Sequence, residues 1–309
     1  MGYDGGRFHL LSRPTMIDNR KASFYALATA LLWSTIATAF KIALQDLDPW
    51  QLVFWSVITS TVLLSIIVVL QGKAGLVRSQ FQTKPGLFLF LGLLNPFLYH
   101  VALFGAYDLL PAQQAQALNY SWPMALTLLA VPLLGRRISV KSLACCLLAY
   151  GGVVMICTRG EFQNLAFASG QGVLLALAST VIWALYWIFN TRRDGDPVVG
   201  LLICFLCGLP WIIVATGMFS SFWPSSPAGL VAAGYVGLVE MGFAYILWLK
   251  ALKLTDNTAM ISNISYLSPF LSLIFIANIL GESIYPATYA GLIMIIVAVL
   301  AQQHFSRQQ

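Results

Sequence analysis

The chain has 309 residues, of which 59% are hydrophobic and only 9% charged, and its formal net charge is +6. Soluble globular proteins carry about 25% charged residues, so this composition excludes a water-exposed surface over most of the chain. The apolar residues fall in runs long enough to cross a bilayer as helices.

The basic residues Arg7, Arg13, Arg20 and Lys21 precede a first apolar run that continues from Ala22 to about Leu44. That run is too long for a signal-peptide core and reads as a retained first helix. Residues 1–15, ahead of Met16, read as a disordered part of an N-terminal segment spanning 1–21. The pattern predicts ten spans, at 22–44, 49–70, 86–107, 112–134, 139–157, 171–192, 197–219, 228–252, 257–280 and 286–304. Pro49, Pro85, Pro111, Pro197, Pro227 and Pro286 fall at or just before span starts, where a missing N–H costs nothing. The connections near 71–85 and 158–170 are too short to fold alone, so no soluble domain is expected.

Placing the N-terminus in the cytoplasm leaves only Lys41 and Arg159 on the outside, with every other lysine and arginine inside. That bias predicts cytoplasmic termini and makes the net charge a topology signal rather than a nucleic-acid patch.

Three pairs of matches then recur in the same order. "LLWSTIATAF" (31–40) resembles "VIWALYWIFN" (181–190), with Trp33 matching Trp183. Asp48-Pro49 matches Asp196-Pro197. Tyr120-x-x-Pro123 and Tyr266-x-x-Pro269 are followed, at one interval, by Gly135 and Gly281. Five spans per copy is an odd number, so the second copy enters from the opposite side. The expectation is an all-α polytopic protein of two inverted five-helix repeats, 22–157 and 171–304, with a site between them near the midplane.

The intramembrane polar residues indicate where that site lies. In the fourth span Gln113, Gln116, Asn119, Tyr120 and Pro123 share about a third of the helix circumference, with Trp122 at its edge. In the sixth, Trp183, Tyr186, Trp187 and Asn190 stand at i, i+3, i+4 and i+7. The ninth offers Asn263, Tyr266 and Phe270, and the third Asn95, Tyr99 and His100 beside Pro96. Amides of this kind can simply hold helices together, and tryptophan and tyrosine can belong to interfacial belts. Aromatic-plus-amide faces at mid-depth on several spans fit a shared polar cavity better. Pro96, Pro123 and Pro269 are expected to kink their helices and release carbonyls near the midplane, whereas Pro210 has no polar companions and reads as a shaping residue.

Glu240 lies near the centre of the eighth span, where a charged carboxylate costs about 2.5–3.5 kcal/mol on insertion scales. Two readings stand: a proton-coupling group, or a protonated side chain hydrogen-bonded between helices, with Asn95 its partner under the repeat. Cys204-x-x-Cys207 and Cys145-Cys146 lie in apolar spans and read as small filler, and His9, His100 and His304 are too dispersed for a local metal motif. No cofactor or metal is expected. Lys41 reads as a snorkelling residue.

Ten spans in two halves, "LLWSTIATAFK", and the "P…LG" endings of the fourth and ninth spans resemble the EamA branch of the drug/metabolite transporter superfamily over residues 22–304. Within it, "LNYSWP" (118–123) and "IWALYWIFNTR" (182–192) resemble the YddG-type aromatic amino acid exporters. "LGESI" after the ninth span matches the family's Gly-Glu, whereas the fourth span ends in "LGRRI". The resemblance implies a basket-shaped inner-membrane carrier that exports aromatic amino acids by alternating access, for which a monomer suffices. Its central cavity would be lined by Tyr99, His100, Tyr120, Trp122 and Trp183. A cationic drug or polyamine exporter is the nearest rival, since aromatic boxes attract cations. A membrane enzyme would need paired acidic ligands or a nucleophile with a base, and the chain shows neither pattern.

Overall fold

The computed structural model describes residues 17–135, 139–161, 168–224, 226–255 and 258–306. The N-terminal extension before Ile17 and residues 162–167 of the connection expected at 158–170 lie outside the described residues. Among the described residues nine helical stretches are long and apolar enough to cross a membrane, and a tenth, Asn263–Ile279, is shorter.

The first two spans are α1 (Asn19–Ala43) and α2 (Pro49–Leu70). A short helix, α3 (Ala74–Thr83), follows where only a connection was expected. The third span is built from α4 (Pro85–Gly92), a π-helical segment Leu93–Leu98, and α5 (Tyr99–Leu109). The fourth is broken into α6 (Ala112–Asn119) and α7 (Trp122–Leu134), and α8 (Val140–Cys157) closes the first half. The second half comprises α9 (Gly170–Asn190), α10 (Pro197–Phe219) and α11 (Pro227–Leu238), then the π-helical Val239–Ala244 and α12 (Tyr245–Lys253). It ends with α13 (Thr258–Ser265), α14 (Leu267–Ile279) and α15 (Pro286–Ser306).

The matched sequence motifs have local physical causes. Asp48 accepts from the N–H groups of Trp50 and Gln51, and Asp196 from those of Val198 and Val199. Each satisfies orphan donors at a helix start that carries proline at its first position. Gly135 (φ 64°) and Gly281 (φ 69°) lie just past the ends of α7 and α14 in the left-handed region, which glycine enters without a Cβ penalty.

The leading helix of each half packs into the other half. α1 lies against α11, α12, α13 and α14, while α9 lies against α5, α6 and α7. The closing helices α8 and α15 pack together across the halves at Gly152 and Gly291, where a Cβ on either would sit 2.5 Å from the other's carbonyl oxygen. Small residues at such a crossing let helix backbones approach closely in lipid. Cys204 and Cys207 meet Gly92 in a similar approach between α10 and α4.

Helix α3 is tied to the turn between α9 and α10. Gln80 donates to Asp196 O (3.1 Å) and accepts from Asp196 N (3.0 Å), and Lys73 pairs with the Asp196 carboxylate at 2.8 Å. Partial burial pushes the Asp196 carboxyl up. The Lys73 side chain and the Val199 and Val198 N–H groups outweigh that and hold it below its ordinary value.

Asp196→Ala is expected to cost about 1–2 kcal/mol, the range for a lost N-cap, read as a lower melting temperature in detergent. A carboxyl held low in the folded state stabilises above its unfolded pKa, and the contribution fades as pH falls through the lowered folded value, so the mutant and native curves should converge in acid. Gly152→Leu, which drives a side chain into the Gly291 carbonyl, is expected to abolish the monodisperse size-exclusion peak.

Candidate functional site

A cavity of about 450 Å³ lies between the halves, within the volume range of small-molecule sites. The interrupted spans supply much of its wall. From the fourth span come Gln116, Asn119, Tyr120 and Trp122; from the ninth, Ser265 and Tyr266; from the third, Tyr99; from the eighth, Glu240, Tyr245 and Trp248. The continuous helices α1 and α9 add Trp33 and Phe40, and Trp183 and Trp187.

The breaks position these groups. Asn95 leaves the helical region (φ −142°, ψ 117°), as residues before proline tend to do, and the chain restarts at Tyr99 with its ring turned inward. In the fourth span the helix ends at Asn119 and resumes at Trp122, so Pro123 occupies the first turn of α7 rather than a helix interior. The carbonyls of Gln116 and Leu118 are taken by the N–H groups of Tyr120 and Ser121, and the Pro123 carbonyl by Thr127 Oγ1. Those three carbonyls are engaged, whereas the carbonyl that Pro123 leaves without its helical donor is that of Asn119, four residues earlier. Pro269 sits near the start of α14, just after the interruption at Tyr266.

Rings form a continuous wall. Tyr99 and Trp183 stack with centroids 4.5 Å apart, and Tyr186 stacks on the far side of Trp183 at 5.6 Å. Trp187 meets Trp183 edge-on at 5.8 Å, and Trp33 lies 5.4 Å from Trp248. Because Tyr99 and Trp183 stack on each other, a ligand ring cannot enter between them and must lie against the exposed parts of the wall. Asn119 donates to Ser179 Oγ at 3.0 Å, which fixes its amide beside the cavity.

Most of the expected ligand-binding residues converge here; Asn95, Gln113, Asn190 and Phe270 of the same faces do not line the cavity, nor do Asn263, Tyr186 and His100. Asn263 is exposed and outside the cavity wall, although the Tyr266 N–H bonds its carbonyl at 3.2 Å and Tyr266 itself lines the cavity. Tyr186 is buried behind Trp183. His100 is fully buried behind the wall, edge-on to Tyr99 at 4.8 Å. Its Nδ1 lies 2.8 Å from Pro96 O and its Nε2 3.6 Å from Glu240 Oε1. The neighbour of Glu240 is thus His100; Asn95 lies instead beside the hydroxyls of Tyr186 and Tyr245.

Sequence reasoning missed Tyr245 and Trp248 as wall residues and used Trp33 only as a repeat marker. Glu240 and Tyr245 stand five residues apart, on different faces of an α-helix. The π-helical turn between them, with its i→i+5 closure, brings both to the cavity.

The cavity is open at one end and shut at the other. Its wall extends to Leu134, Thr191 and Leu252, at the ends of α7, α9 and α12. At the opposite end Phe40 packs edge-on to Phe104 (4.7 Å) and Tyr107 (5.0 Å). Beyond these rings, Glu282 accepts from Ala112 N (2.8 Å), Gln113 N and Gln113 Nε2. Gln113 also donates to Ser283 O and accepts from Tyr285 N and Thr288 Oγ1. Lys41 donates to the carbonyls of Tyr107 and Leu110, ending α5 rather than snorkelling freely. A carboxylate on the exposed N–H groups of a helix start is favourable through both hydrogen bonds and the helix dipole. Glu282 thereby staples the second half to the first at the shut end.

Comparisons with known proteins agree with this architecture. The model of the EamA-like transporter family matches residues 20–158 and again 170–301, so the chain belongs to that family and is a multi-pass membrane transporter. An uncharacterized transporter of Archaeoglobus fulgidus is 27% identical over 93% of this chain and 99% of its own. The aromatic amino acid exporter YddG of Ancylobacter novellus is also 27% identical, over 83% of this chain and 88% of its own. A protein of known crystal structure, 22% identical, superposes with a TM-score of 0.65 over 94% of this chain and 99% of that one, which establishes the shared fold.

Gln113→Ala and Glu282→Ala, by removing the staple, are expected to raise labelling of Tyr107→Cys by a membrane-impermeant thiol reagent several-fold. The measurement is made in vesicles on a background lacking the five native cysteines, with the label applied from the Lys41 side.

Proposed function

We propose that the protein exports aromatic amino acids (phenylalanine, tyrosine and tryptophan) across the cell inner membrane by alternating access. The observation that carries this reading is a wall of stacked and edge-on rings, Tyr99, Trp183 and Trp187 among them, beside the amides of Gln116 and Asn119. Aromatic contacts contribute about 0.5–1.5 kcal/mol each beyond area burial, and the amides suit the polar groups of an amino-acid backbone. The likeness to the YddG exporter supports the same substrate class.

The open end of the cavity lies beside Arg192, Arg193, Lys250 and Lys253, and the shut end beside Lys41. By the positive-inside rule the cavity opens to the cytoplasm, with both chain termini on that side. Loading from within is what an exporter requires. The two halves act as inverted repeats that rock about the cavity. The π-helical segments begin at Leu93 and Val239 and the broken spans turn at Tyr120 and Tyr266, which is the same offset of 146 residues in both cases and supports that reading.

In proteoliposomes loaded with labelled tryptophan, Tyr120→Ala and Trp122→Ala are expected to reduce efflux at least tenfold while leaving the purified protein monodisperse. Efflux by both variants at the native rate, or inhibition of native efflux by cationic dyes but not by unlabelled phenylalanine, would move the assignment to a cationic-drug exporter.

A further inference from the structure

His100 and Glu240 lie in opposite halves and meet at the cavity wall with unsatisfied polar atoms. His100 is 0% exposed and Glu240 7%. Pro96 O is an acceptor only, so the 2.8 Å contact with His100 Nδ1 requires the proton to sit on Nδ1. In the neutral ring Nε2 then presents a lone pair, and it points at Glu240 Oε1 across 3.6 Å. An ionised carboxylate is likewise acceptor-only. Two acceptors facing each other repel, and His100 Nε2 is buried with no hydrogen bond to relieve it; the second carboxylate oxygen, Oε2, is likewise buried without one. One added proton resolves the conflict, whether carried as imidazolium with carboxylate or as imidazole with carboxylic acid.

Glu240 also belongs to the cavity wall. The residue lines the cavity together with Tyr99 and Tyr245, and among the described residues no lysine or arginine stands within ion-pair distance of it from α1, α2, α11 or α12, the helices packed around its segment. The other titratable groups that face it are the phenols of Tyr99, Tyr107 and Tyr245, which carry no charge near neutral pH. A carboxylate at the edge of a ring-walled cavity, with no protein cation to neutralise it, is a receptor for a ligand cation.

We propose that Glu240 binds the ammonium group of the substrate, and that in the empty cavity its carboxylate shares one proton with His100, so that amine and proton exclude one another. The exchange balances. The protonated pair gives up one proton to the water of the cavity mouth, and the carboxylate so formed pairs with the incoming ammonium; an amine without a carboxylate leaves the net charge of wall and occupant unchanged, whereas an amino acid also brings its own carboxylate and lowers that charge by one. Return of the empty carrier with the proton bound couples amine export to proton entry. This deepens the aromatic amino acid reading and rests on it.

The test is calorimetric titration of the purified transporter in lipid nanodiscs with L-tryptophan, tryptamine and indole-3-propionate. Each titration is run at mildly acidic pH in two buffers of different ionisation enthalpy, which reports binding and proton release together. Tryptophan and tryptamine are expected to release up to one proton per transporter, and indole-3-propionate none. Glu240→Gln is expected to abolish the release and weaken both amines at least tenfold, with a monodisperse size-exclusion peak as the folding control and indole-3-propionate still bound. His100→Gln, with a weaker acceptor facing the carboxyl, is expected to move the release to lower pH. Binding of the amines with heats independent of buffer, or proton release that survives in Glu240→Gln, overturns the proposal and leaves the aromatic pocket standing. Absence of binding by all three indoles overturns the pocket itself, and the proposal with it.

Discussion

In lipid every backbone N–H and C=O must find its partner within the protein, and four spans of this chain depart locally from the helix that would satisfy them. The third leaves helical geometry at Asn95, the eighth takes a π-helical turn from Val239, and the fourth and ninth are interrupted around Tyr120 and Tyr266. Such irregular backbone is tolerated only where protein or water covers it. The break at Asn95 is covered by α10, with Pro96 against Gly208, while the other three border the space between the halves and shape the cavity. The wall residues owe their direction to these breaks: Tyr99 and Trp122 each begin a new helical segment, and Glu240 and Tyr245 are brought together by a turn of altered pitch.

The exchange of leading helices makes the same cavity a joint product of both halves. Because α1 is embedded in the second half and α9 in the first, Trp33 meets Trp248 and Trp183 meets Tyr99. Relative motion of the halves would shear these ring contacts together with the His100–Glu240 pair. At the shut end the constraint is polar: Glu282 occupies the N-terminus of α6, and Gln113 spends its amide on three groups of the second half and on Glu282 itself. A carboxylate at a helix start can be replaced by water when the two parts separate, whereas an apolar seal of the same extent would be costly to open. The seal is thus strong while dry and releasable once wet.

How the chain crosses the membrane was legible in its one-dimensional pattern. Runs of apolar residues, prolines at span starts and the caps Asp48 and Asp196 act within a few residues of themselves, so composition and spacing suffice to expose them. The amide-and-ring faces of the fourth and sixth spans were legible too, because α-helical periodicity holds along α9 and along α6 as far as Asn119, with Tyr120 and Trp122 only just past its end. Asn263 was misplaced one turn before the interruption at Tyr266, and Tyr245 and Trp248 were overlooked because a π-helical turn changes which residues share a face.

The sequence by itself determined a polytopic helical chain of two similar halves, with polar and aromatic groups too deep in the bilayer to serve lipid contact. Those facts follow from the energetic cost of polar atoms in hydrocarbon, a property of each residue alone. Only the tertiary structure decided that His100 stands behind the wall and faces Glu240 rather than the ligand space, that Lys41 ends α5, and that Glu282 closes the end opposite Leu134 and Leu252. Each of these is a contact between residues far apart in the chain, 66 apart at the nearest, and no local pattern encodes the distance between groups that only folding brings together.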